Sequence, residues 1–163
     1  KKIKKNKIMK FKIEEVKEID WCFCVINKKK FKSSKVLDEK FFMYFETIDL
    51  CKKLLELRNK MYIVKGLNFE HIGTSSSHKK YKKEILINRN WHYSWSKFYF
   101  FKKQYSYIFA LKKITPNIYQ NIIGIILSLL KINIFEAKLH FASLSGAVNS
   151  IILKKSEYRP NLE

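Results

Sequence analysis

Four carboxylates flank a run of aromatic residues between positions 37 and 52, and they are the clearest candidates for chemistry in this chain. Asp38 and Glu39 precede the aromatic run, whereas Glu46 and Asp49 follow it, where an amphipathic pattern begins. A carboxylate that is ionised near neutral pH can act as a general base if it reaches its proton within about 3 Å. Acids in the first turn of a helix are also favoured simply by the positive end of the helix dipole. Both interpretations of Glu46 and Asp49 are therefore open.

The segment LDEKFFMYFETIDLCK at positions 37–52 resembles the acceptor-side motif of bacterial glycosyltransferase family 2 enzymes of the rhamnosyltransferase-like kind. The residues in register with that motif are Asp38, Glu39, Phe41, Phe42, Tyr44, Glu46, Asp49 and Leu50. At Thr47 the family usually has an acid, which is generally credited with deprotonating the acceptor hydroxyl in inverting transfer. A threonine hydroxyl does not ionise near neutral pH, so Glu46 and Asp49 are the remaining candidates for the catalytic base.

Two other places in the chain are similar to the same family. Asp20 and Trp21 stand where the family has an Asp-Trp or similar pair, and His71 follows the last predicted short strand. The resemblance implies that Asp20 and Trp21, like Asp38 and Glu39, contact the acceptor. It implies that His71 helps to hold a divalent metal, Mg²⁺ or Mn²⁺, whose other ligands lie upstream of this chain. A lone histidine in a loop is otherwise more often an ordinary solvated side chain.

Composition and periodicity divide the chain into four regions. The Lys-rich residues 1–18 are expected to be an extended or loosely ordered lead-in. Residues 19–73 are assigned to the C-terminal part of a catalytic domain, and alternating apolar residues predict a strand over 19–26. Residues 74–84 are expected to form a flexible basic loop, and residues 85–163 an aromatic and amphipathic helical region. The predicted strand lacks the glycine of the family, which leaves less room for a ligand or a neighbouring strand.

Further elements can be predicted around and beyond the acidic motif. A broad apolar stripe predicts a helix over 46–58, and Asn59 is expected to end it in the left-handed conformation. The residues 61–64 and 67–70 are expected to form two short extended pieces hinged at Gly66. Pro116 is expected to end one helix and start another. A last helix is predicted over 136–155, with a row of small residues that allows close helix contact.

Aromatic residues and lysines are mixed in the region after position 90. The aromatic residues recur at helical spacing, at Trp91, Trp95, Phe98 and Tyr99. This mixture is typical of a helix in a membrane interface, where lysines reach anionic lipid, but a helix packed in a soluble core fits the pattern almost as well. The uncharged residues 122–130 are fewer than the ~20 that a spanning helix needs, so this stretch is expected to dip into a bilayer rather than cross it.

The charge and the cysteines restrict the possible partners. A net charge of +20 ordinarily points to nucleic acid, but 31 of the 34 basic residues are Lys and only 3 are Arg. Phosphate and groove recognition relies on the arginine fork, and an AT-rich genome enriches lysine in every protein, so we expect no nucleic-acid partner. A non-enzymatic basic module that binds RNA or a membrane stays the alternative. Cys22, Cys24 and Cys51 lack the spacing of a zinc site and fit a reduced cytoplasmic setting.

Fold and function follow from the resemblance as expectations. It implies the C-terminal part of a GT-A fold, an α/β architecture with a mainly parallel sheet, followed by amphipathic α-helices. It implies a glycosyltransferase of the hexosyltransferase type that moves a sugar from a nucleotide-diphospho-sugar donor to a cell-surface polysaccharide or lipid-linked acceptor. Such an enzyme would be peripheral at the inner face of the cell membrane. Because the chain begins at Lys1 and its first methionine is Met9, we expect a C-terminal part that is inactive alone.

Overall fold

The fold is known from a computed structural model that describes residues 11–19, 23–31, 36–70 and 79–159. Its strands are β1 (Lys12–Val16) and β2 (Met61–Lys65). Its α-helices are α1 (Glu46–Glu56), α2 (Lys82–Gln104), α3 (Tyr107–Leu130) and α4 (Ile134–Ile151). Short 3-10 turns lie at Lys28–Lys30 and Lys79–Tyr81.

The expected α/β architecture is wrong for the part of the chain that is described. Its strands form one two-stranded sheet, which is antiparallel, with Lys12 opposite Lys65 and Val16 opposite Met61. A mainly parallel sheet needs crossover connections between its strands, usually helices. Here the three longest elements follow one another as helices and pack together instead of alternating with strands. The described chain is therefore mainly helical and does not have the architecture of the C-terminal part of a GT-A fold.

The first strand lies earlier than the alternating apolar pattern predicted. β1 falls within the expected lead-in, whereas Ile19 and the described residues 23–26 are not in a strand. Charge pairing stabilises the observed sheet, because Glu14 forms an ion pair with Lys65 and Glu15 with Lys60. Periodicity missed β1 because most of its side chains are exposed on both faces and show no buried alternation.

The helix predicted after the acidic motif is confirmed, but it ends at Glu56, two residues earlier than predicted, and its left-handed residue lies one residue earlier than expected. α1 begins at Glu46, and Leu50 and Cys51 on its inner face are buried. The left-handed residue is Arg58, with a φ of 54°, and the N–H of Asn59 donates to the carbonyl of Leu54 at 2.8 Å. The helix therefore ends in a Schellman motif. In this motif the positive φ falls on Arg58 and not on the next residue, Asn59.

Helices α2 and α4 contact one another backbone to backbone, as the predicted row of small residues requires. Gly146 faces the main chain of Trp91 so closely that a Cβ on it would lie 2.1 Å from the Trp91 carbonyl oxygen. The hydroxyls of Ser94 and Ser143 share a buried hydrogen bond of 2.6 Å. Ala142 is buried beside them. Small side chains at this contact let the two helices approach, and larger ones cannot be accommodated without a shift.

Helix α3 runs through Pro116 without a break, which corrects the predicted helix boundary. The break lies instead at Ser106, whose side chain accepts a hydrogen bond from the N–H of Phe109 and caps α3. Ile114 is completely buried two residues before the proline and holds this part of α3 in the core. Burial near the proline therefore offsets the free-energy cost of the main-chain hydrogen bond that Pro116 cannot form.

The aromatic face after position 90 belongs to the core. Trp91, Trp95 and Phe98 are buried against α3 and α4, so these three side chains pack in a core instead of facing a membrane. Within the described residues, no helix combines the length and the apolar character that crossing a membrane requires.

Candidate functional site

The acidic motif forms an irregular segment, residues 37–45, which we call the acidic loop and which lies along α2. Its aromatic side chains fix it there: Phe41 packs on Tyr99, Phe42 on His92, and Phe45 on Phe100, with ring centroids 4.9, 4.6 and 5.3 Å apart. Hydrogen bonds add to these contacts, because Ser96 donates to the carbonyl of Met43 at 2.8 Å and Arg89 donates to the Tyr44 hydroxyl at 2.6 Å. Aromatic pairs of this kind orient the loop as well as burying its area.

An ammonium group joins two of the four carboxylates. The Nζ of Lys103, on α2, lies 2.8 Å from Asp38 Oδ2 and 2.6 Å from Asp49 Oδ2. Gln104 donates to the other oxygen of Asp49 at 2.7 Å, and the Tyr99 hydroxyl donates to Asp38 at 2.9 Å. Asp49 is almost fully buried, and both of its oxygens are hydrogen-bonded. This network closes the acidic loop against α2 and α1.

The network also sets the proton affinities of its members. Burial opposes ionisation of Asp38, but hydrogen bonds from Lys103, the Lys40 N–H and Tyr99 outweigh it and lower the pKa of Asp38 below its ordinary value. Burial disfavours the charged form of Lys103, yet its bonds to the two carboxylates raise its pKa. Burial and the Asp38 carboxylate together raise the pKa of Tyr99. Asp38 and Lys103 are therefore held in their charged forms near neutral pH, and the Tyr99 hydroxyl keeps its proton.

Glu46 contrasts with Asp49, which lies one turn further along α1. The Oε2 atom of Glu46 is shielded from solvent and accepts no hydrogen bond from any described residue. A buried oxygen in this state is costly, and native structures contain few of them. The two residues before it, Tyr44 and Phe45, both have positive φ values, 67° and 66°. Left-handed backbone at bulky residues is strained, and strain of this kind concentrates at functional sites.

The predicted site residues therefore separate into four groups. Glu46 has a shielded oxygen without a hydrogen bond from the described residues, whereas both oxygens of Asp49 accept hydrogen bonds from Lys103 and Gln104. Asp38 takes part in the network, and Glu39 is an exposed residue in a turn. Asp20, Trp21 and His71, which were expected to contact the acceptor or a metal, lie outside the described residues.

The resemblance assigns its divalent metal to His71, which lies outside the described residues, and the described carboxylates form no metal site of their own. No group of three or more metal-ligating side chains comes together anywhere in the four described stretches. Asp38 and Asp49 converge, but the ammonium of Lys103 lies between them and supplies their positive partner. A metal in that position would have to displace a bonded lysine. We therefore assign no metal to the described residues, and no step below depends on one.

An apolar cavity lies apart from these acids. It has a volume of about 1020 Å³ and lies between residues 23–31 and strand β2, with Phe23, Phe31 and Ile63 among its lining residues. None of the four carboxylates of the acidic motif lines it. Its polar lining residues among those described include Asn27, Arg58 and Lys60 but no acid, so the cavity lacks the proton-accepting carboxylate that the acidic motif offers.

Four side chains of α2 form hydrogen bonds at this site, a role that nothing in the sequence indicated for them. They are Arg89, Tyr99, Lys103 and Gln104. The one available signal was the spacing of Tyr99 and Lys103, which puts both on one face of a helix.

Comparisons with family models, with curated proteins and with solved structures find no match to this chain. The resemblance to the glycosyltransferase family therefore stays a prediction from the sequence.

Proposed function

We propose that this chain supplies the acceptor side of a sugar-transfer site, with Glu46 as the carboxylate that takes the proton of the acceptor hydroxyl. The observation that carries the proposal is the unbonded, shielded Oε2 of Glu46 immediately after two strained residues. A general base must keep an oxygen that is not already committed to hydrogen bonds within the fold, and Oε2 of Glu46 accepts none from the described residues. Asp49 does not meet this condition, because both of its oxygens accept hydrogen bonds within the fold.

The proposed step moves one proton and exchanges one bond at the sugar. Glu46 accepts the proton of the acceptor O–H, and the acceptor oxygen forms a bond to the anomeric carbon of the donor sugar. The bond from that carbon to the diphosphate breaks, and its electron pair leaves with the nucleoside diphosphate. The donor is a nucleotide-diphospho-sugar, and the acceptor is a polysaccharide or lipid-linked hydroxyl at the cytoplasmic face of the membrane.

The ion-pair network has a positioning role in this proposal. Lys103 ties Asp49 of α1 and Asp38 of the acidic loop to α2, so the turn that carries Glu46 is fixed from both sides. The bond from Ser96 to the Met43 carbonyl holds the backbone just before the strained pair. A base that is fixed in this way does not have to be ordered again when the acceptor binds, which preserves its rate advantage.

A sugar-transfer assay tests the proposal. The assay offers a panel of nucleotide sugars and lipid-linked or oligosaccharide acceptors and detects the product by mass spectrometry. Glu46→Gln should lower the transfer rate by about 10² to 10⁴-fold, the usual contribution of a general base. Glu56→Gln removes an exposed acid from the other end of the same helix and should leave the rate unchanged. Equal rates for the native protein and Glu46→Gln would refute the role of Glu46.

A further inference from the structure

The end of the helical hairpin formed by α3 and α4 exposes aliphatic side chains that the fold does not use. We call residues 126–134 the hairpin tip. Its residues 129–134 are all exposed, with Leu130 at 75% and Ile132 at 83%. The apolar surface continues along the outer side of α3, through Tyr119, Ile122 and Ile123. The surface is a projecting end and not a groove.

Folding alone does not account for the residue types at this tip. Ile132 has a positive φ of 56°, a conformation that glycine or asparagine takes at much lower cost than a β-branched residue. Its side chain gains little burial in return, since it is among the most exposed in the molecule. A contiguous apolar surface of this kind marks an interaction site in a soluble fold.

Lysines surround the same end of the molecule. The Nζ of Lys83 lies 5.4 Å from the centre of the Phe135 ring, which brings the start of α2 to the start of α4. The lysines of these two helix starts and of the turn between α3 and α4 are Lys80, Lys82, Lys83, Lys131 and Lys138. The acids among the described residues there are Glu84 and Glu136, and Glu136 is hydrogen-bonded to Asn133 at the start of α4. The tip is therefore aliphatic with a basic border.

We propose that the hairpin tip inserts into the surface of a membrane that contains anionic lipids. Aliphatic side chains would enter the boundary between headgroups and acyl chains, about 5–10 Å deep, while the lysines contact lipid phosphates. A second copy of the chain could cover the aliphatic residues, but it would bring two lysine borders together and repel. The inference deepens the proposed function and rests on it only in naming where a lipid-linked acceptor would be met.

Co-sedimentation with vesicles tests this surface. The native protein should bind vesicles of phosphatidylcholine with phosphatidylglycerol, and bind vesicles of phosphatidylcholine alone more weakly. A double variant, Leu130→Ser with Ile132→Ser, should lower binding to the anionic vesicles by at least about tenfold, because two inserted aliphatic side chains are lost. High salt should weaken binding by the native protein without abolishing it, since the aliphatic contribution is not screened.

A matched variant controls for the loss of two exposed aliphatic residues as such. Ile108→Ser with Ile152→Ser removes exposed isoleucines from the opposite end of the bundle, where the Tyr107 hydroxyl donates to the carbonyl of Ile151. This variant should bind like the native protein. Vesicle binding unaffected by the tip substitutions, or no binding by the native protein, would overturn the inference. So would a dimer that the tip substitutions dissociate. Glu46→Gln should bind vesicles normally, which separates this result from a failure of the proposed chemistry.

Discussion

The acidic loop and the hairpin tip both lie near α2, and they differ in how the fold uses their side chains. The aromatic rings of the acidic loop pack on aromatic rings of α2. The carboxylates of Asp38 and Asp49 form ion pairs with Lys103. At the hairpin tip, aliphatic residues that could have been buried are exposed. Residue type alone makes both the aromatic residues after position 90 and the uncharged residues 122–130 candidates for a membrane surface. Burial, not composition, therefore separates the two roles.

The largest difference between the two regions should appear in the cost of removing an apolar side chain. Phe98 is completely buried in the core, so Phe98→Ala should lower the free energy of unfolding by about 4 kcal/mol. Leu130 is mostly exposed, so Leu130→Ala should change it by less than about 0.5 kcal/mol. Urea unfolding measures both. A large loss for Leu130→Ala would mean that the hairpin tip is part of the core, and the comparison would fail.

The contact of α4 with α2 should give the next largest effect. Helix propensity alone predicts that Gly146→Ala stabilises α4 by about 1 kcal/mol. The main chain of Trp91 leaves no room for the added Cβ, so the variant should instead lose about 2 kcal/mol. The sign of the change in urea unfolding decides between the two. A stabilised Gly146→Ala would show that the helices are further apart than described.

A smaller effect, confined to the packed region, should appear in the pH dependence of stability. His92 is buried with Nδ1 2.8 Å from Ser156 Oγ and Nε2 2.9 Å from the Tyr158 carbonyl. Burial lowers the pKa of His92, the Tyr158 carbonyl partly opposes this, and the charge of Arg159 lowers it further. A lowered pKa means that the unfolded chain binds the proton more readily. The stability is thus fully present above about pH 6.5 and is lost as the pH falls through the folded pKa.

Unfolding measured between pH 7.5 and 5 tests this assignment. His92→Gln should reduce the loss of stability at the acidic end, because the variant has no group to titrate there. His140→Gln, on α4 beside Asn121, serves as the control and should keep the pH dependence of the native protein. An unchanged pH dependence in His92→Gln would mean that another group causes it.

Local sequence patterns predicted the elements that depend on neighbouring residues. The start of α1, the strand at Met61 and the small-residue contact of α4 are confirmed, because their signals lie within a few residues of each other. The strand β1 was missed because it is stabilised by pairing with β2, some 50 residues further along the chain. Pro116 was expected to break a helix, since the burial of Ile114 that sustains α3 depends on tertiary packing.

The sequence predicted which acids belong to the candidate site, but not which of them are hydrogen-bonded within the fold. The motif pointed to Glu46 and Asp49 together, and only the fold distinguishes them. Lys103 lies 54 residues from Asp49 and 65 from Asp38, so no local spacing could indicate that it neutralises both. The mainly parallel sheet was wrong because the resemblance is concentrated in short motifs, whereas the fold of the described residues is set mostly by the long helices after Lys82.

The central claim is that the fold uses Asp49 and leaves Glu46 free for chemistry, and paired urea unfolding tests it without knowledge of the substrate. Asp49→Asn should lose about 2 kcal/mol, because a buried charged hydrogen bond to Lys103 is replaced by a neutral one. Glu46→Gln should be as stable as the native protein or more stable, since its Oε2 forms no hydrogen bond with the described residues. A loss of stability in Glu46→Gln as large as that in Asp49→Asn would contradict the account.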